Sequence, residues 1–218
     1  MNDPHFDLER FTDMPVLGII RGATPESVHG VLQACVSAGL QFVEFTLNAE
    51  GVLAFIESGA RDFSEDLCIG AGTVLSAADA EHAVNAGARF IVSPCLNEDV
   101  AAYCRERQLA YFPGAFTPTE IEKAWNAGAA MVKVFPASQM GPEYFRTLHG
   151  PFNKIRLMAV GGIGRANVSE YLQAGASAVA IGGSVLSPER MKNKEFDIIQ
   201  AELSEFMLAV KNFCSRIA

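Results

Sequence analysis

One alternation runs the length of the chain and limits what it can become. A short apolar run closes on Gly, Ser, Thr or Pro, and an Ala-rich amphipathic stretch follows. Several of those stretches end alike: Ser37-Ala38-Gly39, Asn85-Ala86-Gly87, Asn126-Ala127-Gly128 and Gln173-Ala174-Gly175 have the form of glycine stops at helix C-termini. The apolar runs predict strands over 16–20, 42–46, 68–72, 90–93, 110–113, 131–135, 156–160 and 178–182. The stretches between them predict helices near 27–38, 50–59, 76–86, 98–107, 118–127, 142–149 and 168–174, with a last helix over 196–216 and a short N-terminal one near 7–12. Mostly apolar strands alternating with amphipathic helices imply a parallel sheet covered by helices. The expected fold is α/β: a single (β/α)8 TIM barrel with a short N-terminal helix, one domain over 1–218. A doubly wound open sheet is the alternative.

Two runs carry charges that a buried strand should not hold. Lys133 interrupts Ala130-Met131-Val132-Lys133-Val134-Phe135-Pro136, and Glu44 interrupts Gln41-Phe42-Val43-Glu44-Phe45-Thr46-Leu47. Burying either charge is costly, so each must be paired, neutral or chemically employed. Side chains alternate between the faces of a strand. Met131, Lys133 and Phe135 therefore share one face, while the β-branched Val132 and Val134 share the face that would meet the helices. Phe42, Glu44 and Thr46 would point inward by the same logic. Lys133 then stands near the C-terminal end of the sixth strand, the end where barrel active sites are built. A desolvated amine with a carboxylate in reach suits a Schiff-base lysine and a proton shuttle. An ion pair that fills the barrel is the structural alternative, although such pairs seldom add net stability.

Glycine pairs close the last two strands, in Ala159-Val160-Gly161-Gly162-Ile163-Gly164 and Ala180-Ile181-Gly182-Gly183-Ser184. The loops after the seventh and eighth strands are the usual phosphate site of such barrels, and bare N–H groups bind an anion without added positive charge. Glycine pairs also mark ordinary turns. At the same barrel end, Thr73 in Ile69-Gly70-Ala71-Gly72-Thr73-Val74 either donates to a substrate carboxylate or sits in a tight turn at a helix start. Arg21, just after the first strand, either grips a carboxylate or another substrate oxygen or stands in solvent. Cys95, in Ser93-Pro94-Cys95, has no nearby His to activate it and is expected to be a small buried residue. Trp125 is expected to serve packing.

Composition excludes several function classes. Against 17 Lys and Arg stand 25 Asp and Glu, a formal charge of −8, which argues against a nucleic acid or membrane surface as partner. Cys35, Cys68, Cys95, Cys104 and Cys214 are odd in number and widely spaced, so free thiols in a reducing cytoplasm are expected rather than a disulfide framework. The segment Met1-Asn2-Asp3-Pro4-His5 is polar, so no signal peptide is expected, and no apolar run approaches the roughly 18 residues of a membrane span. His5, His29, His82 and His149 show no paired metal spacing, and no Gly-x-Gly-x-x-Gly follows the first strand. Neither a metal nor a dinucleotide cofactor is therefore expected.

Taken in order, Ile20-Arg21-Gly22, Val43-Glu44-Phe45-Thr46, Gly70-Ala71-Gly72-Thr73-Val74-Leu75, Ile91-Val92-Ser93-Pro94, Val132-Lys133-Val134-Phe135-Pro136-Ala137, Gly161-Gly162 and Gly182-Gly183-Ser184 are familiar. From about residue 15 to 188 the chain resembles the class I 2-keto-3-deoxy-6-phosphogluconate and 2-keto-3-deoxy-6-phosphogalactonate aldolase family, which includes the 4-hydroxy-2-oxoglutarate aldolases. The resemblance implies a cytoplasmic, cofactor-free homotrimer. It would cleave a phosphorylated 2-keto-3-deoxy acid to pyruvate and glyceraldehyde 3-phosphate, in sugar-acid catabolism of the Entner–Doudoroff type. At the matching positions it implies that Lys133 forms the imine and Glu44 is the general acid and base. It further implies that Thr73 and Arg21 contact the pyruvate portion or nearby hydroxyls, that Pro94 and Phe135 shape the pocket, and that Gly161, Gly162, Gly183 and Ser184 hold the phosphate.

The chain departs from the gluconate-type pattern twice. Asn48 stands where such members often carry an Arg on the pyruvate carboxylate, so Arg21 would carry more of that charge. Val160 stands where they often carry a Thr, which removes a hydroxyl partner near the substrate's C4. Asn48, Val160 and the runs Arg21-Gly22-Ala23-Thr24-Pro25 and Gly141-Pro142-Glu143-Tyr144 look more like the galactonate branch. The rival readings are a phosphate-binding barrel enzyme that forms no imine and a non-catalytic barrel that senses a sugar-acid phosphate. The first predicts activity surviving Lys133→Ala, and the second predicts binding without turnover.

Overall fold

A computed structural model describes residues 6–217. Residues 1–5 and 218 of the expected domain, His5 and the polar N-terminal segment among them, lie outside the described residues. The strands are β1 (Val16–Ile20), β2 (Phe42–Thr46), β3 (Cys68–Gly72), β4 (Phe90–Val92), β5 (Ala110–Phe112), β6 (Gly114–Ala115), β7 (Val132–Val134), β8 (Leu157–Val160) and β9 (Ala178–Ile181). The helices are α1 (Leu8–Asp13), α2 (Val28–Ser37), α3 (Val52–Asp62), α4 (Ala77–Asn85), α5 (Glu98–Glu106), α6 (Pro118–Asn126), α7 (Ala137–Leu148), α8 (Val168–Gln173), α9 (Pro188–Lys192) and α10 (Phe196–Ile217).

The sheet order is β5-β4-β3-β2-β1-β9-β8-β7-β6, with every pairing parallel. The first strand lies beside the last, and the two edge strands are consecutive pieces of one run, parted only by Pro113. The sheet is therefore a TIM-type barrel rather than the open, doubly wound alternative. Pro113 has no N–H to give a ladder, which splits the expected fifth strand in two. On either side of it, the Phe112 carbonyl accepts from Ser93 N–H (3.2 Å) and the Pro113 carbonyl from Lys133 N–H (2.9 Å), so both neighbours stay in register. The strand expected as the sixth is accordingly β7.

The strand faces separate two cores. Val132 and Val134 join the outer core between barrel and helices, with Ile121, Ala124 and Phe145 among its members. Leu17, Phe42, Cys68, Phe90, Phe112, Met131 and Met158 fill the barrel interior. At its N-terminal end the rings crowd together. Phe11 of α1 lies 4.9 Å from Phe42 and 5.9 Å from Phe112, and Phe6 lies 5.3 Å from Phe90, all as tilted or edge-on pairs. Asp7 caps α1 by accepting from Arg10 N–H (2.9 Å), and the Arg10 guanidinium donates to Gln41 (2.9 Å), which fixes the plug to the start of β2. Open space is thereby confined to the C-terminal end. Phe11→Ala is expected to cost about 3–5 kcal/mol in urea unfolding, because it empties a filled site. Its active-site chemistry should survive, since the cavity lies at the other end.

Two helical segments were not expected. α7 begins at Ala137 rather than Pro142, with a non-helical Gly141 (φ 72°, ψ 177°) between its pieces. α9 is a short helix capped by Ser187, which accepts from Arg190 N–H (3.2 Å). Arg190 then grips Glu202 of α10 through two nitrogens (2.7 and 2.8 Å). Among the described residues no helix is long and apolar enough to cross a membrane.

Candidate active site

β2 and β7 stand across the barrel from one another in the strand order, so their inward side chains converge on the axis. Glu44 is 1% exposed and Lys133 7% exposed. Both line one cavity of about 600 Å³ at the C-terminal end of the strands. Arg21, Asn48, Thr73, Pro94, Phe135, Val160, Gly161, Gly162, Gly183 and Ser184 line the same cavity. The structure thus gathers every sequence-predicted site residue in one place. Cys95 is corrected: it is exposed, because it follows Pro94 out of the strand end instead of turning into the core.

Lys133 and Glu44 do not close the ion pair that the structural alternative required. Burial lowers the Lys133 pKa; the Glu44 charge opposes this, and the Arg21 guanidinium adds to the lowering. Burial raises the Glu44 pKa, against the pull of Lys133 and Arg21. The two shifts push both groups toward their neutral forms, an amine with a free lone pair and a carboxylic acid. The Lys133 Nζ lies 5.3 Å from the centroid of the Phe135 ring, which stands beside the amine in the cavity wall. An amine and a carboxyl group, both drawn toward their neutral forms and lining one cavity, are the parts an imine-forming reaction needs.

The rim is held by backbone devices. Thr73 has φ +58°, a left-handed conformation that β-branched residues rarely adopt and that is typical of functional sites. The buried Ser93 hydroxyl donates to the Val74 carbonyl (2.7 Å), tying the loop that carries Thr73 to the strand end that carries Pro94. Across the cavity, Gly162 has φ +77°, and a Cβ there would lie 2.5 Å from the Ser138 Cβ. Only glycine fits both conditions. Ser138 N–H donates to the Gly161 carbonyl (3.1 Å), and Asn167 clamps the loop by donating to the Gly162 carbonyl (2.9 Å) and accepting from Gly164 N–H (2.9 Å). The Ser184 hydroxyl donates to the Ile163 carbonyl (3.1 Å), joining the two glycine loops. The N–H groups of Gly162, Gly183 and Ser184 make no hydrogen bond to any described residue. They are the free donors an anion site needs.

Sequence reasoning missed part of the lining: Ile19, Ile163, Ala180, Leu186 and Pro188 also face the cavity. Ile19 and Ala180 were legible as inward strand positions, whereas Leu186 and Pro188 arrive with the unexpected segment around α9. Thr46 was placed inside but given no role. It is 2% exposed, and its hydroxyl has no hydrogen-bond partner among the described residues. Among those residues no cluster of three or more His, Cys, Asp and Glu side chains is arranged to hold a metal ion.

Comparison with known proteins follows the same lines. A family model described as KDPG and KHG aldolase matches residues 8–202. The 2-dehydro-3-deoxy-phosphogluconate aldolase of Treponema pallidum (strain Nichols) is 35% identical over 182 residues, which span 83% of this chain and 84% of that one. The 2-dehydro-3-deoxy-6-phosphogalactonate aldolase of Escherichia coli (strain K12) is 30% identical over 175 residues, 80% and 85% of the two chains. Among solved structures, the KDPG aldolase from Legionella pneumophila with pyruvate captured at low pH as a covalent carbinolamine intermediate superposes with a TM-score of 0.84. It is 25% identical, over 93% of this chain and 97% of that one.

Proposed function

The chain belongs to the KDPG and KHG aldolase family, and on that premise we propose that Lys133 and Glu44 carry out its class I aldol cleavage of a 2-keto-3-deoxy-6-phospho sugar acid. The observation that carries the assignment is the buried amine of Lys133, held toward neutrality and open to the same cavity as Glu44.

The neutral amine attacks the C2 ketone to form a carbinolamine. Glu44, as the acid, protonates the departing hydroxyl, which leaves as water and gives an iminium. The Glu44 carboxylate then takes the C4 hydroxyl proton. The C3–C4 electron pair flows into the iminium, releasing glyceraldehyde 3-phosphate and leaving an enamine. Glu44 returns its proton to C3, and water attacks the resulting iminium to free pyruvate and the Lys133 amine. The pyruvate carbinolamine captured in the Legionella pneumophila enzyme supports this route.

Arg21 and Thr73 hold the pyruvate carboxylate, with Asn48 adding a neutral hydrogen bond. Pro94, Phe135 and Val160 shape the pocket around C3 and C4. Gly161, Gly162, Gly183 and Ser184 bind the phosphate through backbone donors. Gly162→Ala is expected to raise KM for phosphorylated substrates by about tenfold or more, since the strained residue must shift the donors of its loop. The same change should leave KM for 4-hydroxy-2-oxoglutarate, which has no phosphate, near the wild-type value. Equal effects on both would remove the phosphate assignment.

A coupled pyruvate-release assay across the gluconate, galactonate and 4-hydroxy-2-oxoglutarate substrates tests the function. Turnover of at least one is expected, with the galactonate epimer favoured by Asn48 and Val160. Binding without turnover of any would favour the sensor reading instead. We extend the proposal to a homotrimer acting in the cytoplasm in sugar-acid catabolism of the Entner–Doudoroff type. The free state of all five cysteines fits a reducing compartment, and light scattering on the purified protein tests the trimer.

A further inference from the structure

Glu44 does not sit level with its own backbone. A Cβ built on Gly72 would lie 2.4 Å from Glu44 Oε1, 2.6 Å from its Cδ and 3.1 Å from Oε2. The carboxyl group therefore rests against the bare Cα of Gly72, on the neighbouring strand. Gly72 pairs in register with Thr46, two residues beyond Glu44 on β2. The Glu44 side chain thus climbs the barrel to the level of Thr46, whose side chain shares its face. At that level two polar atoms are sealed from solvent with no hydrogen-bond partner among the described residues: Glu44 Oε2 and Thr46 Oγ1. Buried polar groups are seldom left unpaired, because each orphan carries its desolvation penalty in full.

We infer that the Thr46–Gly72 rung seats the Glu44 carboxyl group for proton transfer, Gly72 by leaving it room and Thr46 by holding it through one bridging water. This rests on the aldolase reading above. A hydroxyl both donates and accepts, so the Thr46–water pair serves Glu44 in either form, and it holds the charged carboxylate more strongly than the neutral acid. The bridge satisfies both orphan atoms at once. The charged groups facing Glu44 are Lys133 from β7 and Arg21 from beyond β1, and among the described residues no other ionisable side chain lines the cavity. Thr46 and Gly72 are positioning residues, since neither needs to touch substrate.

Exchange of the pyruvate methyl protons in D2O, followed by NMR, isolates the transfer at C3, while borohydride trapping with pyruvate reports the imine at Lys133. Thr46→Val keeps the shape and removes the hydroxyl. It is expected to slow exchange about tenfold, as loss of a hydrogen bond to a charged group does. It should also move the Glu44 limb of the pH profile to higher pH, because the carboxylate loses a partner. Thr46→Ser should restore both. Gly72→Ala should slow exchange by about 100-fold, the scale of displacing a reacting group by an ångström. All three should still yield the trapped adduct. Wild-type exchange and pH profile in Thr46→Val would overturn the inference, as would a Thr46→Ser enzyme as slow as Thr46→Val. If Thr46→Val does not fold, wild-type exchange in Gly72→Ala overturns it equally. Absence of an adduct in the wild-type enzyme overturns the aldolase reading instead, so the two failures are distinguishable.

Discussion

Lys133→Met is expected to lower turnover by at least about 10⁴-fold, because the covalent route through the imine closes and binding contacts alone remain. Methionine has nearly the length of lysine and no charge to bury, so the β7 register with Gly114 and Met158 should persist. A variant with native circular dichroism and no pyruvate release is the expected outcome. The result separates the account from its nearest rival, a phosphate-binding barrel enzyme without an imine, in which activity survives loss of the amine. It also bears on why the amine is there. The lysine is buried without an ion-pair partner among the described residues, a placement that stability does not explain and that nucleophilic chemistry does.

Glu44→Gln is the second large effect, and it has two readouts. The amide cannot move a proton, so kcat should fall by about 10²- to 10⁴-fold. Stability should also change its dependence on pH. The folded-state pKa of Glu44 is raised above its ordinary value of 4.5, chiefly by burial. Folding therefore takes up a proton at this site. That contribution is fully present below pH 4.5 and is lost as pH rises through the folded-state value. Glutamine has no such titration. The Tm of Glu44→Gln relative to wild type should accordingly climb as pH is raised from 4.5, in paired calorimetric scans. A difference independent of pH would mean that Glu44 is not held in its acid form by burial.

The sequence was most legible where one physical rule dominated. β1, β2 and β3 appear over the expected residues because each is a five-residue apolar run between clear turn signals. Lys133 and Glu44 could be placed inside from alternation alone, since β-branched Val132 and Val134 mark the outer face. What stayed hidden depended on partners distant in sequence. Pro113 splits a strand because it has no N–H to donate, while the Phe112 and Pro113 carbonyls keep both neighbouring strands in register. α9 is a single short turn that owes its place to the Arg190–Glu202 contact with α10. Gly72 read only as the last residue of an expected strand, and its close approach to Glu44 follows from the register between β2 and β3. Cys95 was misplaced because a chain leaving a strand end turns outward as readily as inward. Charge and the absence of metal spacing narrowed the function to small-molecule chemistry. The choice among substrates turns on Asn48 and Val160, side chains whose effect is a difference in binding and not a pattern.

The central claim is that Lys133 becomes covalently joined to the keto acid. Incubation with pyruvate, reduction with borohydride, proteolysis and mass spectrometry test it in one experiment. A single pyruvate-derived addition on Lys133, absent without pyruvate and absent from Lys133→Met, is the predicted result. No addition, or one on Lys123, Lys154, Lys192, Lys194 or Lys211 instead, would contradict it.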